Sequence, residues 1–283
     1  MYKKIILLLS LFLLPYLVTT LFHRDIQVLP IDRVDMEALY IVGKTMGQMP
    51  VTYEKEALKA QMVLVQTSYY KRKAEGMSVS DCMEDEDYIS MEEATDIWGR
   101  EQALDYYETL TLYYEEIKGV TATYQDAYIE PVYHRLSAGT TRAGETALGE
   151  TYGYLTAVSS RMDIESEAYL HTTELSYEEL TNALGTHITK GSLWIVQSDE
   201  AGYVDKISVN NNEMAGEEFR KQCQLNSANF TMVENEAGVV FTIKGEGHGY
   251  GLSQYGANRL AAEGKSYEEI LKYYFSNIEL HSV

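Results

Sequence analysis

Basic residues are scarce in this chain. Its 23 lysines and arginines face 43 aspartates and glutamates, a formal net charge of −20. A field of that sign repels phosphate backbones, which argues against nucleic acid as a partner, and it opposes tight attachment to anionic lipids or wall polymers. A neutral polymer such as a glycan stays compatible. Proline is rare, at 4 residues, and no polar low-complexity tract occurs, so the composition is not that of an extended disordered chain. Cysteine occurs twice, as Cys82 and Cys223, and neither stands at metal-ligand spacing from a second cysteine. The two are compatible with a disulfide in an exported protein and equally with two unpaired core thiols. Tryptophan (2) and phenylalanine (6) are few, whereas tyrosine reaches 24. Tyrosine can line polar, sugar-rich grooves, but ordinary core packing with the hydroxyl at the surface accounts for most of them.

Long hydrophobic runs are confined to one place. Lys3 and Lys4 precede 18 uncharged residues, Ile5 to Phe22, and His23, Arg24 and Asp25 close the run. That length just crosses a bilayer. A cleavable signal peptide is the rival reading. Leu17 to Phe22 contains no small-x-small cleavage pattern, which favours an uncleaved anchor, and the two lysines favour a cytoplasmic N-terminus. The expected organisation is a cytoplasmic stub at 1–4, a transmembrane signal anchor at 5–22, a connector at 23–34 and one extracytoplasmic domain at 35–283. The expected location is the cell membrane, single-pass, with the bulk of the protein outside.

What remains is ordinary globular material, 45% hydrophobic and 23% charged. A periodic segment, Met36 to Met46, is followed by a strong helix in TYEKEALKAQMVLVQTSYYKRK, where Leu58, Met62, Val65 and Tyr69 fall at helical spacing with charged residues opposite. Ser90, Ser176 and Ser266 each open an S-x-x-E capping box, and Gly119 and Gly264 read as helix stops. Strands are expected in Val120–Val132, Tyr154–Met162, Leu193–Val196, Val204–Val209 and Phe230–Ile243. The fold class is α+β, a single domain with an inserted helical region near residues 80–119.

Three stretches combine functional groups with loose backbone: GKTMGQMP at 43–50, YHRLSAGTT at 133–141, and KGEGHGYGLSQYGANRL at 244–260. A lone histidine in a glycine loop is more often structural than catalytic. Their order and wording together are more specific. EALKAQ at Glu56–Gln61, YHRLSAGTT, and GHGYGLSQYGA followed by GKSYEEILKYYF resemble the stage II sporulation protein D (SpoIID/LytB) family across nearly everything after residue 35.

The resemblance implies a SpoIID-like domain acting on peptidoglycan glycan strands in sporulation and cell-wall remodelling, by the chemistry of a lytic transglycosylase. One carboxyl group protonates the glycosidic oxygen through an oxocarbenium-like state. It then takes the proton of the muramyl 6-hydroxyl as an anhydro ring closes. The resemblance implies no cofactor, and no metal, because neither cysteine lies in the His134 loop. Its substrate-binding positions fall on His134, Ser137, Gly139, Thr141, His248, Gly249, Gly251, Ser253, Gln254 and Tyr255. Its general acid, the Glu of a Glu-Met-Pro motif, falls on Gln48. An amide cannot deliver a proton, a loss of about 10²- to 10⁴-fold in rate. Gln66, where the family helix carries Arg, is a second departure and is expected to compensate the first. Glu246 is the candidate to restore the acid, against the plainer reading of a solvent-facing loop residue. Three functional classes follow: a glycan-strand lyase, a non-catalytic glycan-binding module or amidase enhancer, and a purely structural exported protein. The partners expected are glycan strands and other membrane-bound wall-remodelling or amidase proteins.

Overall fold

The computed structural model describes residues 35–283; the expected stub, anchor and connector lie outside them. The chain divides into two units at residue 39, and the described part of the first is only the opening turn of the first helix. No helix among the described residues is long and apolar enough to cross a membrane.

Helix α1 (Met36–Gln48) ends at Met49–Pro50, and α2 (Lys55–Ala74) follows. Ala57, Leu58, Ala60, Met62, Val63, Leu64, Val65 and Tyr69 of α2 are buried, and so are its polar residues Lys59, Gln61, Gln66 and Thr67. The expected polar face is therefore covered. The cause is position: α5 (Arg100–Ile117), β1 (Val120–Tyr124), α9 (Gln254–Ala262) and α10 (Tyr267–Tyr274) all pack on α2, and a helix buried all round is the centre of its core. Glu56 of EALKAQ accepts the Tyr267 N–H that opens α10, at 2.8 Å, and so caps that helix. Lys59 pairs with Glu56 at 3.0 Å and lies over the Tyr267 ring.

The stretch read as a helical insertion holds α3 (Val79–Cys82), α4 (Met91–Trp98) and α5, the last of which packs on α2. Strand β1 pairs antiparallel with β2 (Ala127–Tyr128) and with β11 (Glu279–Ser282), so the C-terminus returns to the first sheet. Short strand β3 (Tyr133–His134) pairs in parallel with β10 (Leu252–Ser253), joining the second and third sequence blocks. A four-residue helix, α6 (Glu145–Leu148), interrupts the loop after β3.

Residues 170–244 build a region that the sequence reading did not separate. Strands β4 (Leu170–Ser176), β8 (Phe230–Glu234) and β9 (Gly238–Lys244) form one sheet with β9 central; β5 (Leu193–Ser198), β6 (Val204–Val209) and β7 (Asn212–Ala215) form another. Helices α7 (Tyr177–Leu184) and α8 (Gly216–Gln222) accompany them. They enclose a core of their own around Phe219, Phe230 and Phe241, whose ring centroids lie 5.6–5.9 Å apart. The run Phe230–Ile243, read as one strand, is a hairpin. Asn235 Oδ1 accepts the N–H groups of Ala237 (2.7 Å) and Gly238 (2.9 Å) and turns the chain. Tyr154–Met162, read as a strand, is loop leading into a 3₁₀ turn (Arg161–Glu165).

Candidate functional site

The glycine-rich loop is where the two regions meet. Gly245, Gly247, Gly249 and Gly251 all take positive φ, an alternation that lets the ribbon lie flat against its neighbours. At Gly249, φ is +82° and a Cβ would fall 2.4 Å from Tyr203 Cζ, so no side chain fits there. Arg142 locks the same junction. Its guanidinium bonds Asp199 and Asp205, each at 2.6 Å, and lies over the rings of Tyr203 and Tyr250.

Gln48, at the end of α1, sits at the convergence of all three blocks. Its Oε1 accepts from Gln61 Nε2 at 2.8 Å, and its backbone carbonyl accepts from Gln254 Nε2 at 2.8 Å. The Gln48 Nε2 donates to Asp87 Oδ2 at 2.7 Å. Asp87 in turn receives the Tyr133 hydroxyl at 3.4 Å and pairs with Lys44. A small cleft here is lined by Tyr40, Lys44, Gln48, Asp85, Glu130 and Tyr133, among others. Asp87 stands beside it, bonded to Gln48 and Tyr133 of its lining, because the chain lies directly on α1: a Cβ on Gly47 would fall 1.9 Å from the Asp87 carbonyl oxygen. Asp85 is bound by Lys44 (2.8 Å), Arg72 (2.7 Å) and the Tyr40 hydroxyl (3.2 Å), which anchors the acidic segment between α3 and α4 against α1 and α2.

The other predicted site residues are placed as follows. His134, Ser137, Gly139, Thr141, Gly249, Gly251, Ser253 and Gln254 are buried, while His248 and Tyr255 are half-buried. His134 Nδ1 faces the Tyr250 carbonyl at 2.9 Å, so Nδ1 carries the proton and Nε2 is a bare acceptor, without a hydrogen-bond partner among the described residues. Burial and neighbouring His248 pull the His134 pKa down to about 3. The His248 Nδ1 accepts the Tyr250 N–H at 3.1 Å, and burial lowers its pKa too. Ser137 donates its N–H to the fully buried Asp163 at 2.8 Å, whose carboxyl is pushed above the usual range by burial. Thr141 Oγ1 accepts the Val158 N–H at 2.9 Å, and Ser253 caps α9 through the Gly256 N–H. Tyr255 ties back to Arg135 through its own N–H at 3.1 Å. Most of the second and third blocks is therefore buried framework, with Tyr133 the member that lines the cleft, and few of its polar atoms are free for a ligand.

Glu246 is held by Arg135 at 3.4 Å. Gln66 does not act on Gln48: its amide bonds the Ile117 carbonyl (3.2 Å) and the Gly119 N–H (2.8 Å) and fastens the end of α5, so the expected compensation between the two glutamines has no contact to carry it. Cys82 and Cys223 are both free and buried. The side chain at Gln48 that sequence reasoning missed is Asp87, which sits in an acidic stretch indistinguishable by composition from solvated loop. Only its tertiary contact with Gln48 singles it out.

A sequence profile described as Stage II sporulation protein (SpoIID) matches residues 25–127. Two proteins named Stage II sporulation protein D, from Bacillus amyloliquefaciens and Bacillus subtilis (strain 168), are each 29% identical to this chain, over 88% of it and 75% of their own length. An uncharacterized protein from Brachyspira hyodysenteriae is 29% identical over 85% of this chain and 65% of its own.

Proposed function

We propose that this chain, a relative of the stage II sporulation protein D family by motif, profile and overall sequence, is a membrane-anchored protein that engages peptidoglycan glycan strands during wall remodelling in sporulation. The observation that carries the reading is the meeting of Gln48, Gln61 and Gln254, one from the end of α1, one from EALKAQ and one from the glycine-rich block. Gln48 is the member of this cluster that lines the cleft, and a neutral amide that both donates and accepts suits the hydroxyl and acetamido groups of an uncharged polysaccharide. The cleft is of the lytic transglycosylase type, with an amide where the proton donor belongs.

A second reading, a strand-gripping module that does not cut, is favoured by the same geometry. Gln48 is bonded on both ends of its amide, and the Nε2–Asp87 contact is one a glutamate could make only by sharing a proton.

The test uses full-length protein in mild detergent with glycan strands stripped of stem peptides. Co-sedimentation of protein with strands is expected, and its absence would overturn the proposal. Gln48→Glu is expected to retain binding and to raise the yield of 1,6-anhydromuramyl ends. It is also expected to lose stability at neutral pH relative to pH 4, by about 1–3 kcal/mol. A carboxyl beside Asp87 has its pKa raised on folding, so its stabilising protonated form is present at low pH and lost as pH rises.

A further inference from the structure

We propose that Asp87 is the catalytic carboxylate of this cleft, standing in for the glutamate that Gln48 replaces. The inference rests on the glycan-strand reading above. Among the acidic groups around the cleft, Asp87 is the one that touches Gln48, 2.7 Å from its amide nitrogen. The others are engaged differently: Asp85 by Lys44, Arg72 and Tyr40, Glu130 by Lys71 at 2.6 Å, and Glu246 by Arg135. Asp163 is fully buried. The Asp87 side chain is 41% exposed and adjoins the cleft through Gln48 and Tyr133, which line it.

Three donors fix the Asp87 carboxylate: the Gln48 amide and the Tyr133 hydroxyl on Oδ2, and the Lys44 ammonium on Oδ1. A carboxylate has about four lone-pair sites, so one acceptor position remains for substrate. With donors on three sides and an acceptor position left open, Asp87 enters the reaction as the base. Such a start is sufficient, because the reaction transfers a proton within the substrate. Asp87 takes the proton of the muramyl 6-hydroxyl, and O6 forms its bond to C1 as the C1–O4 bond breaks. The electron pair of that bond goes to O4, and the proton on Asp87 passes to the same oxygen. The anhydro ring and a free 4-hydroxyl result, Asp87 is again the base, and neither water nor a redox partner is needed. Gln48 then acts as a positioning residue, orienting the carboxylate with its amide N–H.

The experiment compares wild type and Asp87→Asn, both full-length in mild detergent, on stripped glycan strands, counting 1,6-anhydromuramyl ends by mass spectrometry and measuring co-sedimentation in parallel. Wild type is expected to produce ends. Asp87→Asn is expected to bind equally while losing about 100-fold or more in rate. Asp87→Ala with added formate provides a readout that a structural role would not move: the small carboxylate is expected to restore ends in a concentration-dependent way. Strands bound by wild type without any ends formed would overturn the role of Asp87 and leave the binding function standing. So would an undiminished rate in Asp87→Asn, or no response of Asp87→Ala to formate. Failure of wild type to bind strands would instead overturn the functional reading on which this one rests.

Discussion

Imidazole in the interior gives the residue scale its clearest consequence. His134 has its pKa pulled down to about 3, against about 6.5 in an unfolded chain. The folded state thus excludes a proton that the unfolded state binds. This residue stabilises the fold fully above about pH 6.5, and the contribution is lost as pH falls toward 3. Wild type is expected to take up about one more proton on unfolding at pH 5 than His134→Gln does, measured from the pH slope of urea unfolding. An equal slope in the two proteins would show that His134 titrates normally. At Gly249, alanine meets both a left-handed φ and the Tyr203 ring, and the expected loss is about 2–5 kcal/mol, read from urea midpoints. The glycines of the third block were legible in the sequence as unusual backbone. Their reason, close packing against Tyr203 and the 132–137 segment, was not, because those neighbours are remote along the chain.

At the scale of elements, helix starts were the most readable feature. Ser90, Ser176 and Ser266 each form the reciprocal capping box expected of S-x-x-E, since all the atoms involved lie within four residues. Burial of α2 was misread for the opposite reason: Lys59, Gln61 and Gln66 look solvent-facing until α5 and α9 close over them. The junction between the loop after β3 and strand β6 depends on Arg142, 4% exposed in its side chain and bonded to two aspartates. Arg142→Ala is expected to cost about 3–5 kcal/mol, because it strands two partly buried carboxylates. Arg142→Lys is expected to recover little of it, since an ammonium lacks the forked pair of donors. Denaturant unfolding of both variants measures the difference, and full recovery by lysine would show that charge alone holds the junction.

At the scale of the whole molecule, the chain from residue 40 onward carries two cores, one around α2 and one around Phe219, Phe230 and Phe241. Phe241→Ala is expected to destabilise by about 3–5 kcal/mol, followed by calorimetry. A separate low-temperature transition in that variant would show that residues 170–244 unfold as a unit of their own. The amino-acid sequence by itself determined the α+β class, the capped helices, the family resemblance and the presence of an amide at Gln48. These are written in local patterns or in residue identity. Tertiary structure alone decided that the second and third blocks are mostly buried framework, that Gln66 serves the end of α5, and that Asp87 faces Gln48. Such contacts join residues far apart in sequence, and only the packing of α1, α2 and the intervening acidic segment sets the distances on which hydrogen bonds and proton transfer depend.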